Sequence, residues 1–270
     1  MQGDFFAHDF HTMEVREKKG SFAMPRIFLS PSTQEYNPYI TGTGSEEYFM
    51  NLIADAMVPY LRANAIRWMR NTPDMTAASS IALAAKSTYD FYLALHSNAS
   101  GDGSQEGQAR GIIAFYYTPS QNGRRAAEIF AANLKRIYPL PQRVVTRGTT
   151  ALGEVRQPKP PAVLLELGYH DNTADAEWIE SNIELIGQNL VQSLTEYFGV
   201  PFLYPIAPRT GVVTTASDNL NLRAYPGLNG TVIGTLPRGA TVMVYAQREG
   251  WYTVWYGEQA GYASAAYIQI

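Results

Sequence analysis

The chain has 270 residues, 21 Lys+Arg against 24 Asp+Glu, a formal net charge of -3 and no cysteine. That balance leaves no basic footprint for nucleic acid, and the lack of cysteine removes disulfides, thiolate metal ligands and a cysteine nucleophile. No apolar run reaches the roughly 18–20 residues of a transmembrane segment, and the length suits one medium domain and one small one.

Residues 1–24 mix acids, bases and aromatics and lack the apolar stretch and small-residue cleavage site of a secretory signal. They read as a disordered leader. His8 and His11 form an HxxH pair inside it, Met24 reads as an alternative start, and the regular pattern begins at Pro25.

"RIFLS" (26–30) predicts a short buried strand that stops at Pro31. Ser45 then reads as an N-cap, with Glu46 and Glu47 in the first turn, where a helix dipole favours acids. Phe49, Leu52, Ile53, Ala56, Met57, Tyr60 and Leu61 recur at helical spacing, which predicts an amphipathic helix over 46–63. A strand at 66–70, an alanine-rich helix at 75–87 and strands at 89–96 and 111–119 follow. A helix at 123–138, a strand at 161–170 and one or two helices over 175–199 complete the region.

Strands alternating with helices predict an α/β fold, a mostly parallel sheet flanked by helices. Such sheets carry their sites beyond the carboxyl ends of the strands. His96 ends the run "YDFYLALH" there, Glu166 interrupts the apolar run "AVLLELGY", and Glu47 opens the helix after the first strand. A carboxylate in an apolar run costs several kcal/mol unless it is paired or reaches a polar site, so Glu166 asks for a function. His96 alone reads more readily as a satisfied core histidine than as a ligand, and Glu47 reads also as a dipole-stabilising acid. Residues 200–210 are proline-rich and read as a linker, and 211–270 show short β-rich runs between Pro-Gly, Asn-Gly and Arg-Gly turns, which predicts a small all-β barrel. Its aromatics, among them Tyr245, Trp251, Tyr252, Trp255, Tyr256 and Tyr262, read as core filling for at least half of them and otherwise as a ligand platform.

"IFLSPS", "GSEEYFMNLIADAMVPYL", "YLALHSNA", "GIIAFYY", "EVRQPKPPAVLLELGYHDN" and "DAEWI" follow one another in order. Over about residues 26–198 this resembles the zinc-dependent N-acetylmuramoyl-L-alanine amidases of the amidase-3 family, and the tail resembles a bacterial SH3-like domain. The resemblance divides the chain into a leader (1–24), an amidase-like catalytic domain (25–199), a linker (200–210) and an SH3-like domain (211–270).

The resemblance implies one Zn2+ and water-mediated cleavage of the amide between N-acetylmuramic acid and L-alanine. Glu47 and His96 match metal ligands, Glu166 matches the catalytic acid/base, and Asn98 is a candidate substrate contact. The family's first ligand is a histidine in an Asp-Pro-Gly-His type motif. Here that stretch reads "SPSTQEYN", without histidine. Either His170 in "ELGYHDN" or an oxygen donor among Gln34, Glu35 and Tyr36 fills the gap. The implied partner is peptidoglycan, with no nucleic acid and a monomeric chain. The implied setting is extracellular or the cell wall, or cytoplasmic until lysis in an endolysin-like role. The rival reading is a wall-binding protein on an amidase fold whose zinc site is incomplete, and a third is a hydrolase of a different amide.

Overall fold

The computed structural model describes residues 24–101 and 105–270. The leader and its HxxH pair lie outside them, Met24 excepted. Six strands form the first sheet: β1 (Arg26–Pro31), β2 (Arg67–Arg70), β3 (Phe91–Asn98), β4 (Ile112–Tyr117), β5 (Val144–Thr149) and β6 (Ala162–Tyr169). Their order is β2-β1-β3-β6-β4-β5. β2, β1, β3 and β6 run parallel; β4 is antiparallel to β6, and β5 follows β4. The sheet is therefore mostly parallel, with a reversed pair at one side.

Alternation along the strands sorts the side chains onto two faces. On one face lie Ile27, Leu29, Phe91, Leu93, Leu95, Val163, Leu165 and Leu167. This face is covered by α1 (Glu46–Ala63), α3 (Gln121–Leu134), α5 (Thr173–Ser181) and α6 (Ile183–Phe198). On the other lie Phe28, Tyr92, Ala94, Ala162 and Leu164, covered by the short helices α2 (Ala77–Ala84) and α4 (Gly153–Arg156). His96 and Glu166 fall in phase with this second, thinly covered face and are register partners across β3 and β6.

Seven antiparallel strands form the second sheet: β7 (Arg209–Val213), β8 (Leu220–Arg223), β9 (Val232–Leu236), β10 (Thr241–Arg248), β11 (Trp251–Tyr256), β12 (Gln259–Ser264) and β13 (Ile268–Gln269). It packs on the first body at the end of α1. The Arg62 guanidinium lies 5.7 Å from the Trp68 ring centre and 5.1 Å from that of Tyr245, and donates to the Tyr245 hydroxyl at 2.5 Å. The Trp255 indole N–H donates to the Arg62 carbonyl at 2.9 Å. Met24, Ala63 and Ala65 share an apolar seam with Ala246, Ala260 and Tyr262. So Tyr262 is core, while Tyr245 and Trp255 serve the seam. Among the described residues no helix is long and apolar enough to cross a membrane.

Candidate active site

His96 stands at the centre. It ends the apolar part of β3 and lies between two buried carboxylates: Nδ1 is 2.8 Å from Glu46 Oε1, and Nε2 is 2.9 Å from Glu154 Oε2. Burial opposes a charge on the ring, yet the hydrogen bonds to Glu154 and Glu46 raise its pKa well above the ordinary value. Burial likewise opposes charge on Glu46 and Glu154, and their bonds to His96 override it and hold both below the usual carboxylate range. The two carboxylates thus favour the charged form of the ring between them.

Glu46 arrives at the first turn of α1, where Ser45 caps the helix by accepting from the Tyr48 N–H. Asn37 Nδ2 donates to Glu46 Oε2 at 2.7 Å, and the Gln34 amide lies 3.3 Å from both Glu46 Oε1 and His96 Nδ1. Glu47, the acid that the family resemblance matches to a metal ligand, is not brought to His96. It is turned outward and accepts from Asn51 Nδ2 at 3.0 Å. The correction was available in the helix phase. Glu46 is three, four and seven residues before Phe49, Met50 and Ile53, all buried, so it lies on the inward stripe, and its neighbour, rotated by a further 100°, does not.

Glu154 is a site residue that the sequence reading passed over. It comes from α4, a single turn inside a segment that shows no helical period. Its Oε1 accepts from Ser30 Oγ at 2.7 Å and Tyr92 OH at 2.8 Å, leaving Oε2 for His96. A lone acid just before the apolar strand was the one available signal.

Glu166 lies beside His96 on β6. Its Oε2 is buried without a hydrogen-bond partner. Burial, together with Glu46 and Glu154 and against the pull of His96, pushes its carboxyl up to about 7. A buried polar atom left unpaired is costly and rare; one in a cleft is typical of a group kept for chemistry.

His170 is buried and stacked on Tyr39 with ring centres 5.6 Å apart. Its Nδ1 is 2.9 Å from the Ser97 carbonyl oxygen, so Nδ1 carries the proton and donates. Asn98 folds its own turn: Oδ1 accepts from the Ala99 N–H at 2.8 Å, and its carbonyl accepts from the His170 N–H. Both line a cleft of about 210 Å3 with Gln34, Glu46, His96 and Glu166. A second cavity of about 250 Å3 opens on the Glu154 side of His96, past Ser32 and Tyr36. The site thus holds two carboxylates paired to one imidazole, and a carboxyl raised by burial whose Oε2 is unpaired, at the junction of two cavities.

The family profile described as N-acetylmuramoyl-L-alanine amidase matches residues 28–196, and a bacterial SH3 domain profile matches 218–269. A comparison with curated protein sequences finds no match. Among solved structures, the amidase AmiC2 of Nostoc punctiforme is similar at 14% identity and TM-score 0.58, covering 67% of this chain and 99% of that one. The catalytic domain of the amidase CwlV from Bacillus (Paenibacillus) polymyxa gives 18% identity and TM-score 0.57, covering 66% and 100%. An amidase of Clostridium difficile 630 gives 17% and 0.58, covering 66% and 98%. Identities this low speak for the fold; the profile match over most of the chain speaks for the family. The chain belongs to the N-acetylmuramoyl-L-alanine amidase family and carries a bacterial SH3 domain after it.

Proposed function

We propose that the chain hydrolyses the amide between N-acetylmuramic acid and L-alanine in peptidoglycan, with Zn2+ held by Glu46, His96 and the Gln34 side-chain amide. Glu166 is its acid/base and Asn98 a substrate contact. The family is generally zinc-dependent, and the donors here suit the ion. Glu46 Oε1, His96 Nδ1 and the Gln34 amide form a triangle with sides of 2.8, 3.3 and 3.3 Å. Two ligands about 2.0–2.2 Å from a tetrahedral zinc lie about 3.3–3.5 Å apart. A half-turn of the Gln34 amide brings its oxygen to the third corner. Among the described residues no three His, Asp or Glu side chains group to hold a metal; in this reading the Gln34 amide takes the place of the family's first histidine. His170, whose Nδ1 donates to the Ser97 carbonyl, is the alternative third ligand.

Zinc, when bound, polarises the scissile carbonyl and acidifies water. Glu154 holds the Nε2–H of His96 and so fixes the ring with Nδ1 toward Glu46 and Gln34. Glu166 takes a proton on Oε2 from the attacking water and returns it to the leaving nitrogen. A carboxyl near 7 has neither form scarce at neutral pH. The unpaired Oε2 of Glu166 beside His96 is the observation that carries this reading. The substrate sets the place of action: the bacterial wall, reached from outside, or from the cytoplasm at lysis in an endolysin-like role.

The missing first histidine favours a second reading, a wall-binding protein without metal. Elemental analysis of the purified protein, with mass spectrometry of a peptidoglycan digest, separates the two. About one zinc per chain and released peptides beginning with L-alanine, both lost in Glu46→Gln and the peptides alone lost in Glu166→Gln, is the expected result. No zinc after reconstitution and no released peptide would leave the binding protein.

A further inference from the structure

A second cleft lies on the same rim of the sheet as His96 and Glu166, two strands away. It measures about 290 Å3 and is lined by Arg110, Ile113, Arg143, Val145, Arg147 and Tyr169. Register ties it to the active site. Glu166 pairs with Ile113 on β4, and Ile113 pairs with Val145 on β5. Directly paired residues point to the same face, so His96, Glu166, Ile113 and Val145 form one row across four strands. β4 and β5 run opposite to β6, which brings their first residues to its last. Arg147 is two positions after Val145 on β5, hence on the same face, and its guanidinium lies 5.7 Å from the Phe115 ring centre; Arg143 ends the 3-10 turn that leads into β5 and lines the same cleft.

The cleft is built around a buried anchor. Asp175 is fully buried on α5; its Oδ1 accepts from Arg110 Nε at 2.8 Å and Tyr138 OH at 2.6 Å. Its Oδ2 accepts from the Gly111 and Tyr169 N–H groups at 3.0 and 3.1 Å. Gly111, at φ 130°, lets the Arg143 carbonyl approach so closely that a Cβ there would stand 2.5 Å from it. Arg110 is thus neutralised and fixed, while Arg143 and Arg147 are exposed and form no ion pair among the described residues. Two free cations flank an apolar floor that begins at the catalytic row.

We infer that this arginine cleft is the carboxylate subsite for an acidic peptide whose scissile amide lies at Glu166. Strands stand about 4.8 Å apart, so Val145 is about 10 Å from Glu166 across the row. An extended peptide covers that in about three residues. The groove therefore selects acidic side chains or a carboxylate two to three residues beyond the bond that is cut. The inference rests on the amidase reading of the neighbouring site. A guard role for charges on the edge strand β5 predicts no selectivity of this kind.

The test uses two probes: an N-acetylmuramoyl tripeptide with acidic residues at its second and third positions, and the same peptide with both carboxylates amidated. Each is titrated calorimetrically into the full chain and into the Arg143→Gln/Arg147→Gln double variant, and turnover of both is followed separately. The parent is expected to bind the acidic peptide at least tenfold more tightly, as for charge-assisted hydrogen bonds of about 1.5 kcal/mol or more. In the double variant the two affinities converge, with the melting temperature unchanged. Equal affinities in the parent, or a preference that survives in the folded double variant, would overturn the subsite. If neither peptide is cleaved but the arginine-dependent preference is measured, the subsite stands and the amidase reading falls.

Discussion

Replacing Glu166 by Gln in zinc-free protein tests the charge state on which the proposed chemistry depends. The carboxyl is pushed from an ordinary 4.5 to about 7, first by burial and then by Glu46 and Glu154. Between those two pH values the folded protein holds a proton that the unfolded chain has released. Unfolding free energy therefore falls as pH rises through this window, and the contribution is fully present only below about 4.5. The gap between 4.5 and about 7, at about 1.4 kcal/mol per pH unit, is worth about 3 kcal/mol. Glutamine cannot ionise, so the variant lacks this slope. Its other effects, such as an altered hydrogen bond, do not vary with pH. Urea unfolding of both proteins with chelator, at steps from pH 4.5 to 7.5, gives the difference directly. The parent should lose about 3 kcal/mol relative to the variant across the series, equivalent to roughly 6–12 °C for a domain of this size. A difference that stays flat within about 0.5 kcal/mol would mean Glu166 is ionised throughout, and the argument from its unpaired Oε2 would fail.

Three further outcomes follow from the same contacts. Glu46→Gln should weaken zinc binding at least tenfold in a chelator competition while Glu47→Gln changes it less than twofold; the reverse order would reinstate Glu47, the acid that the family resemblance matched to a ligand. Glu154→Gln leaves Ser30, Tyr92 and His96 in place but removes a charge from the imidazole, so the His96 ring should titrate at lower pH by NMR in zinc-free protein, and an unmoved titration would show that Glu46 alone sets it. Arg62→Ala deletes the guanidinium that lies between Trp68 and Tyr245, a loss of about 0.5–1 kcal/mol for each exposed cation–π contact; thermal unfolding should shift downward, and limited proteolysis should cut nearer the Val200–Pro208 stretch, whereas unchanged melting would make the seam an incidental contact.

Much of this architecture can be read in the sequence where burial is one-sided and periodic. The first long helix is predicted over 46–63, and α1 spans Glu46–Ala63, because its apolar stripe runs five turns without interruption. β5 escapes notice for the opposite reason. It is an edge strand in which Val144 alone is buried, and its Arg, Thr and Gly residues look like a loop. The reversal of β4 is equally invisible, since an apolar strand gives no sign of its direction. In the site, His96 and Glu166 announce themselves as polar interruptions of apolar runs. Glu154 does not, because a single helical turn has no period to reveal which way a side chain faces. That Glu46 and not Glu47 meets His96 follows from helix phase, which a match to a family motif does not resolve to the residue.

The seam at Arg62 has a consequence for how the chain would travel over a polymer. It grips α1 at its far end, next to where β1 and β2 begin, whereas His96 lies where β3 finishes. A six-residue strand is about 20 Å long, so the barrel and the catalytic row sit at opposite rims of one stiff sheet. A barrel held there by the Arg62 seam lies away from the cleft and does not cover it. Under the proposed wall-cleaving function, a barrel that binds the same polymer would act instead as the foot of a pair of compasses: wherever it was planted, cutting would be confined to an arc at a set radius, and a network of fixed mesh would be opened at intervals that the protein itself measures.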